Sequence, residues 1–402
     1  MSGQAEWTVL VFLNAKNNLE PFAFPNFQQM SSIGSTPEVK LVVEMGRPKK
    51  HYSNQYGAWS KTLRFLVDKG TLPNEAEAVQ DLGSANMGDA QTLVDFVRWG
   101  REQYPAKRTM LVIWNHGQGW RAPAEEGIAV TEPAVPHAGH RYVSNDDDTG
   151  DKLYNRAIQD ALTALLGGTR LDVIAFDACL MAMVETAYAL RNIGGVMVGS
   201  EELEPGNGWN YTRWLQPLVD AKGNVEATDL GRLLVRGMKD EYGNTDATTL
   251  SATDLNKVSA LATAVSSFSD TAVPLLTSEL PSFRAARSAC KNYAPGYGLH
   301  SIDLGHYMSQ IEANTTSPSL KQRTADVRAR LSDLILENYA STKRQGAFGS
   351  TGLGIYYPSS AAAHNSDPDR EGYDAGNTHF PVEFVNQERW ATFVREYWKL
   401  VA

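Results

Sequence analysis

The sequence predicts an α/β fold built on an open, mostly parallel β-sheet. Two short runs, residues 108–114 (RTMLVIW) and 171–176 (LDVIAF), are nearly continuous in apolar side chains. Strands of this kind are covered on both faces, as in parallel sheets that lie between layers of helices. Segments between the apolar runs carry apolar residues every three to four positions, the spacing of a helix with one buried face. This alternation of strands and helices predicts an open α/β sheet.

The N-terminal half contains most of the predicted elements. A first strand at residues 7–13 is rich in β-branched and aromatic side chains. The alternating pattern of residues 62–67 predicts an antiparallel edge strand. Asn86 and Asp89 are candidate N-caps for a helix at residues 91–104. The other predicted elements of this half are helices at 19–32, 154–166 and 181–190 and strands at 39–44 and 196–199.

The C-terminal part is predicted to be mainly helical. Residues 1–225 are expected to form a core that carries the functional residues, and residues 226–402 a helical region with one or two added strands packed on it. Composition alone leaves open whether the two parts are one domain. The elements predicted here are helices at 228–242, 254–268, 324–339 and 390–400 and a strand at 352–358.

The composition is that of a folded, acidic protein. The chain has 402 residues, 42% of them apolar and 21% charged, and its 37 basic and 46 acidic residues give a net charge of −9. This charge argues against nucleic acid as a main partner. No apolar run is long enough to span a membrane, and the N-terminus lacks the pattern of a secretory leader. We therefore expect a cytoplasmic protein without a membrane partner.

Cys179 and His116 occupy equivalent places in the predicted sheet, because each directly follows one of the two apolar strands. If the strands are adjacent and parallel, both side chains emerge at the same edge, where open α/β sheets bind ligands. Histidine can accept the proton of a cysteine nucleophile, and the N-terminus of the predicted helix 181–190 would lower the pKa of the thiol. The backbone N–H groups of Gly117 and Cys179 could then form an oxyanion hole.

Simpler interpretations of the same residues stay open at this level. A lone cysteine after a strand is often a small buried apolar residue, as Cys290 is expected to be, and a histidine beside glycine is often a turn residue. Two cysteines offer neither a disulfide framework nor metal-ligand spacing. A small-ligand-binding α/β module is a further alternative, but the sequence has no glycine-rich phosphate loop.

Two stretches, residues 114–120 (WNHGQGW) and 177–181 (DACLM), resemble the signature stretches of the clostripain-like cysteine peptidases. Further similar stretches follow in the family's order at 11–20 (VFLNAKNNLE), 86–89 (NMGD), 199–211 (GSEELEPGNGWNY) and 354–358 (GIYYP). The resemblance implies a caspase-like three-layer sandwich with a mostly parallel central sheet and helical C-terminal additions. It also implies peptide-bond hydrolysis with Cys179 as nucleophile and His116 as general base. No third, orienting carboxylate is assigned.

The same resemblance implies cleavage after arginine or lysine, with acidic residues in the pocket that binds this side chain. Asp177 matches one such acid, and a second is expected from the loop at 199–211, which offers Glu201, Glu202 and Glu204. Trp209 is a candidate for the wall of the crevice. Asn207 stands where some relatives carry an acid, and Lys16 where many do. Because of these departures, the alternative stays open that the protein is a catalytically weak or inactive relative that binds peptides or proteins in the same crevice.

The irregular segment 121–151 carries two further hypotheses. Asp146, Asp147 and Asp148 offer oxygen ligands for a hard cation such as calcium, although the spacing of a twelve-residue calcium loop is absent and an acidic turn is the simpler interpretation. No other cofactor is expected. Because relatives are often processed between the histidine and cysteine stretches, the resemblance makes Arg121, Arg141 and Lys152 candidate self-cleavage sites. A cytoplasmic endopeptidase must also be restrained, so a regulatory or activating protein is an expected partner.

Overall fold

A nine-stranded sheet runs through the middle of the protein, with helices on both faces. The computed structural model describes residues 4–117, 143–344, 349–367, 370–374 and 382–401. Its strands are β1 (Ala5–Asn14), β2 (Val39–Gly46), β3 (Thr62–Leu66), β4 (Gln80–Asp81), β5 (Ala106–Trp114), β6 (Ser144–Asp146), β7 (Asp151–Leu153), β8 (Leu171–Asp177), β9 (Gly194–Gly199), β10 (Thr249–Asp254), β11 (Ser301–Asp303), β12 (Ile335–Ala340) and β13 (Gly354–Tyr356).

The described helices are distributed along the whole chain. They are α1 (Glu20–Ile33), α2 (Ala90–Gln103), α3 (Asn155–Leu166), α4 (Val184–Leu190), α5 (Tyr211–Asp220), α6 (Ala227–Tyr242), α7 (Val258–Ala272), α8 (Leu280–Ala289), α9 (Leu304–Asn314), α10 (Pro318–Leu334), α11 (Ala361–Ser366), α12 (Glu383–Gln387) and α13 (Trp390–Val401), with single 3-10 turns at Leu255–Lys257, Val273–Leu275, Pro295–Tyr297 and Arg370–Tyr373. None of the helices in these ranges is both long and apolar enough to cross a lipid bilayer.

The strand order of the large sheet is β12-β10-β9-β8-β5-β1-β2-β3-β4. The five central strands, from β9 to β2, pair in parallel. Antiparallel strands flank them on both sides, with β3 and β4 at one edge and β10 and β12 at the other. The predicted fold class is therefore confirmed. Two small antiparallel pairs, β6 with β7 and β11 with β13, lie outside the sheet.

Two apolar cores fill the spaces between the sheet and its helix layers. Along β1, Leu10 and Phe12 enter one core, while Val9, Val11 and Leu13 enter the other. All five are fully buried, which is why the central strands show apolar runs rather than alternation. Burial of each such side chain contributes about 1.5–3 kcal/mol, so the central strands are the most strongly specified part of the fold.

The structure corrects two of the predicted elements. Residues 324–339 do not form one helix, because α10 ends at Leu334 and the chain continues as β12. Strand β12 pairs with β10, a strand that the sequence pattern did not reveal, so long-range pairing overrides the local helical preference. Helix α4 begins at Val184 rather than at residue 181, which changes the surroundings of Cys179.

Both β10 and β12 come from the part of the chain beyond residue 225, and they extend the same sheet as the N-terminal strands. Helix α6 also contains buried residues of the core shared with β1, among them Leu234 and Met238. The division at residue 225 stays a prediction as a domain boundary. The fold itself is continuous across that point, because one sheet runs through both parts.

Candidate active site

The carboxyl ends of three adjacent parallel strands, β8, β5 and β1, form the edge at which His116 and Cys179 emerge. Trp114, the last residue of β5, lies opposite Asp177, the last residue of β8. His116 and Cys179 each follow two residues later, so the pairing register places them on neighbouring loops at the same edge of the sheet. The backbone N–H of Asn115 donates a hydrogen bond to the carbonyl oxygen of Asp177 at 3.2 Å, which holds the two loops together as they leave the sheet.

Gly117 packs directly against the turn that carries Cys179. A Cβ atom at this position would collide with the carbonyl oxygen of Cys179 and would lie 2.9 Å from its backbone nitrogen. Real Cβ contacts are not this short, so only glycine allows the two backbones to approach so closely. The arrangement brings the backbones of Gly117 and Cys179 into contact, and the oxyanion hole expected from their N–H groups stays a prediction.

His116 is held by two asparagines. Its backbone N–H donates to Oδ1 of Asn115 at 2.6 Å, and its ring Nε2 lies 2.8 Å from Oδ1 of Asn18. Asn115 is itself tied to β1, because its side-chain N–H donates to the carbonyl oxygen of Asn14 at 2.7 Å. Sequence reasoning missed Asn18. The signal available for it was the pair of asparagines just after β1, the strand that neighbours β5.

Cys179 is half-buried in a turn between β8 and α4. The backbone N–H of Glu204 donates a hydrogen bond to its Sγ at 3.2 Å. The pKa of the Cys179 thiol is raised to about 12, mainly by burial and also by the negative charges of Glu204, Glu202 and Asp177. The hydrogen bond from Glu204 lowers this pKa, but by less. At neutral pH the thiol is therefore protonated in this conformation, and attack requires that a base take its proton.

The predicted lowering of the thiol pKa by a helix N-terminus is wrong. Helix α4 begins five residues after Cys179, at Val184, and the intervening Leu180 has a φ of 63°. The chain therefore makes a tight turn rather than the first turn of a helix. Because the helix dipole acts only within about the first turn, it does not act on this thiol.

Asp177 and Glu204 form a buried pair of acids beside the thiol. Asp177 accepts hydrogen bonds from the backbone N–H of Trp209 at 3.2 Å and from the hydroxyl of Tyr211 at 3.0 Å. Both carboxyl oxygens of Glu204 are buried without a hydrogen bond of good geometry among the described residues, and the indole N–H of Trp209 is a donor near them. Burial raises the pKa of Asp177 to about 7, and burial together with the charge of Asp177 raises the pKa of Glu204 well above its usual range.

Gly208 and Trp209 both lie close to this pair of acids. Gly208 has a φ of 62°, and a Cβ there would lie 2.8 Å from Oδ1 of Asp177. A side chain at this position would be strained and would press against the Asp177 carboxylate. The ring of Trp209 is buried, and hydrogen bonding from its indole N–H lowers the pKa of Glu204, although less than burial raises it.

The other two glutamates of the loop serve its packing. Glu202 forms an ion pair with Arg344 at 2.7 Å and accepts the backbone N–H of Ala294 at 3.0 Å. Glu201 accepts the backbone N–H of Gly352 at 3.0 Å, and its pKa is raised well above the usual range by burial and by Asp303. The geometry thus does not support the predicted substrate-binding role for either glutamate, because both carboxylates anchor the C-terminal part to the loop.

Asn207 does not join the acid pair. It is exposed at the tip of the loop, where its backbone carbonyl oxygen accepts a hydrogen bond from the side chain of Asn26 at 3.1 Å. The acid that lies beside Asp177 is Glu204, three residues earlier.

The C-terminal part also closes one side of the site. Leu180, Tyr293, Ala294 and Leu299 form a small apolar cluster against which Cys179, Leu203 and Tyr297 pack. The pKa of Tyr297 is raised by burial and by the nearby Cys179. The sequence did not predict that residues 293–299 lie at the site, because they are more than 110 residues from Cys179 along the chain and contact it only in the folded protein.

A sequence model of the clostripain family matches residues 11–398. The chain belongs to the clostripain family. Clostripain from Hathewaya histolytica is 27% identical to it over 241 residues, which are 56% of this chain and 44% of clostripain. The match thus covers less than half the length of that relative.

Two solved structures share the fold of this clostripain-family chain. One is a secreted C11 cysteine protease from Bacteroides thetaiotaomicron in complex with an irreversible peptide inhibitor, with a TM-score of 0.61, 21% identity, and coverage of 88% of this chain and 92% of that one. The other is the secreted C11 cysteine protease iotapain from the same organism, with a TM-score of 0.62, 17% identity, and coverage of 98% and 99%. They confirm the caspase-like fold implied by the resemblance.

Both Bacteroides proteases are secreted. This finding contradicts the cytoplasmic location expected for the present chain. The expectation rested on the lack of a leader pattern at the N-terminus, and such an absence is not evidence of location.

The predicted calcium ligands lie around a lysine. The ammonium group of Lys16 is buried, 3.3 Å from Oδ2 of Asp146 and 4.0 Å from Oδ2 of Asp148, and it donates to the carbonyl oxygen of Ala85 at 2.6 Å. Burial raises the pKa of Asp147 to about 6. Across the described ranges, no group of three or more His, Cys, Asp or Glu side chains is placed to hold a metal ion. The assignment of Asp146, Asp147 and Asp148 as a ligand set is therefore not supported, because Lys16 supplies the positive charge; a need for calcium stays a prediction.

Of the three candidate self-cleavage residues, Lys152 lies in β7, where it pairs with Asn145 of β6. Its peptide bond is therefore part of a hairpin that must open before a protease can bind it. Arg121 and Arg141 lie outside the described residues.

Proposed function

We propose that the protein is a secreted cysteine endopeptidase that hydrolyses peptide bonds after arginine or lysine. The observation that carries the proposal is the placement of Cys179 and His116 at adjacent strand ends, beside the buried acid pair Asp177 and Glu204. Membership of the clostripain family supports the peptidase activity. The acid pair supports the choice of a basic side chain.

In the proposed reaction, His116 takes the proton of the Cys179 thiol as the sulfur attacks the carbonyl carbon of the scissile bond. The oxyanion that forms accepts hydrogen bonds from the backbone N–H groups of Gly117 and Cys179. His116 then gives its proton to the leaving amine, which departs and leaves a thioester on Cys179. Water, deprotonated by His116, attacks the thioester, and the thiol is regenerated as the carboxylic acid product leaves.

The acid pair favours a cationic substrate side chain for a simple electrostatic reason. Two ionised carboxylates that face one another repel because they carry like charges. The repulsion is about 4 kcal/mol for unit charges about 4 Å apart at an effective dielectric constant of about 20. Neither carboxylate can offset it by donating a hydrogen bond to the other. In the free protein, Asp177 and Glu204 relieve this repulsion by holding a proton. A bound guanidinium or ammonium group would replace that proton and satisfy the oxygens of Glu204, with arginine favoured by its forked donors.

Covalent labelling tests the proposal directly. Peptidyl acyloxymethyl ketones with arginine or leucine before the warhead would be incubated with the purified protein and with Cys179→Ala, and adducts would be located by mass spectrometry. We expect rapid labelling of Cys179 by the arginine probe, slow labelling by the leucine probe and none in Cys179→Ala. Equal labelling by both probes would refute the basic specificity alone. Failure of a folded protein to react with either probe would refute the peptidase and favour a peptide-binding relative.

A further inference from the structure

Three loops line up along the site in the order of their strands. Strands β8, β5 and β1 are neighbours in the parallel part of the sheet, and the loops that follow them carry Cys179, His116 and Asn18. The imidazole thus has the thiol loop on one side and the loop after β1 on the other. Catalytic triads on unrelated folds have the same order, in which the base lies between the nucleophile and an orienting residue. One such triad consists of cysteine, histidine and asparagine.

The structure assigns a specific contact to this third place. Oδ1 of Asn18 lies 2.8 Å from Nε2 of His116. An amide oxygen can only accept a hydrogen bond, so Nε2 carries the proton in this contact. In a neutral imidazole the other nitrogen, Nδ1, then has the lone pair that accepts a proton. We propose, on the basis of the peptidase function above, that Asn18 is a positioning residue that selects this tautomer of His116 and holds its ring toward Cys179.

Asn18 sits on a loop that is anchored independently of it. Asn14 donates to the hydroxyl of Ser144 at 2.7 Å and to the carbonyl oxygen of Asn145 at 2.8 Å. The neighbouring Asn17 donates to the same carbonyl oxygen at 3.0 Å, and its Oδ1 accepts the backbone N–H of Leu19 at 2.9 Å. The two adjacent asparagines therefore differ in role: Asn17 is buried and holds the loop, whereas the half-buried Asn18 reaches His116.

An amide in this position has a consequence that a carboxylate would not have. A carboxylate beside the imidazole stabilises its charged form and raises its pKa, by about one unit or more at this range. The neutral Asn18 oxygen orients the ring without that charge. A carboxylate placed here by substitution should therefore move the protonation of the histidine to higher pH.

The test compares Asn18→Ala, Asn18→Asp and the matched control Asn17→Ala on an arginine peptide substrate. We expect Asn18→Ala to lower kcat about 10- to 100-fold with little change in KM, because the ring loses its orientation but the acid pair is untouched. Asn18→Asp keeps the acceptor, so most of kcat should return, and the acidic limb of the kcat/KM profile should move up by about one pH unit. Asn17→Ala should lower thermal stability without moving that limb.

A second measurement does not depend on turnover. In the inactive Cys179→Ala protein, 15N NMR of the His116 ring should show a proton on Nε2, and this tautomer preference should be lost in Cys179→Ala/Asn18→Ala. Unchanged ring signals, or a profile that Asn18→Asp leaves in place, would overturn the role of Asn18. Failure of the wild-type protein to hydrolyse peptides while the tautomer result holds would instead count against the peptidase function.

Discussion

Replacement of Glu204 by glutamine is the sharpest test of how this site selects its substrate. The substitution removes one charge from the acid pair but keeps the length of the side chain. A hydrogen bond to a charged group contributes about 1.5–3 kcal/mol, and the buried position of both Glu204 oxygens places their contribution toward the upper end. We therefore expect kcat/KM for arginine substrates to fall about 30- to 150-fold, because each 1.4 kcal/mol is about a factor of ten.

The assay would compare matched peptides with arginine, lysine or leucine before the scissile bond. Leucine peptides, which make no use of the charge, should be cleaved by Glu204→Gln at least as fast as by the wild type. Glu241→Gln is a suitable control, because it makes the same chemical change in an exposed glutamate that pairs with Arg213 at 3.4 Å. A Glu204→Gln enzyme with an undiminished preference for arginine would refute the assignment of Glu204 to the pocket.

The same variant has a predicted effect on stability with a definite sign. The pKa of Glu204 is raised in the folded protein, so the folded state holds a proton that the unfolded state has released above pH 4.5. Stability then falls as pH rises through this range, and the penalty remains at higher pH. Glutamine removes the titration, so Glu204→Gln should unfold at a higher temperature than the wild type at pH 8, and the difference should vanish at pH 4. Equal melting temperatures at pH 8 would contradict the burial argument.

Three other predictions concern separate features. The pKa of Asp177 is raised to about 7 in the free protein, so kcat/KM for arginine peptides should fall more steeply as pH drops below 7 than kcat/KM for leucine peptides, which do not use this carboxylate; equal profiles for the two peptides would place the titration elsewhere. Lys16→Met leaves Asp146 buried without its cation and should lower the unfolding free energy by about 3–5 kcal/mol in urea titrations, whereas a loss below about 1 kcal/mol would show that the pair is dispensable. If the enzyme processes itself at Lys152, intact-mass spectra should show two chains for the wild type and one for Cys179→Ala, and an intact active wild type would end that hypothesis.

Several features could be predicted from the sequence because local patterns control them. The apolar runs at residues 108–114 and 171–176 identify strands buried on both faces, and they are β5 and β8 in the structure. Because parallel neighbours end at the same edge, the positions of His116 and Cys179 just after these strands were enough to place them together. Asp89 is the N-cap of α2, where its side chain accepts the backbone N–H of Gln91 at 2.9 Å.

The choice among Glu201, Glu202 and Glu204 could not be made from the sequence, because all three lie on one short loop. Partners distant along the chain decide it: Arg344 binds Glu202, and Gly352 and Asp303 surround Glu201. With those two carboxylates anchored, Glu204 is the one that faces Asp177. The side-chain direction of a loop residue depends on contacts that local sequence does not encode.

Apolar patterning was enough to identify the central strands, the edge of the sheet where the site lies, and the two residues proposed to perform the chemistry, because burial on both faces is visible in the local sequence. The surroundings of those two residues depend on the folded chain. The delayed start of α4 places Cys179 outside the reach of a helix dipole, burial raises the pKa of its thiol to about 12, and the loop after β1 brings Asn18 to His116. These properties arise from desolvation and from contacts between segments far apart in the chain, so they exist only once the whole sheet has assembled.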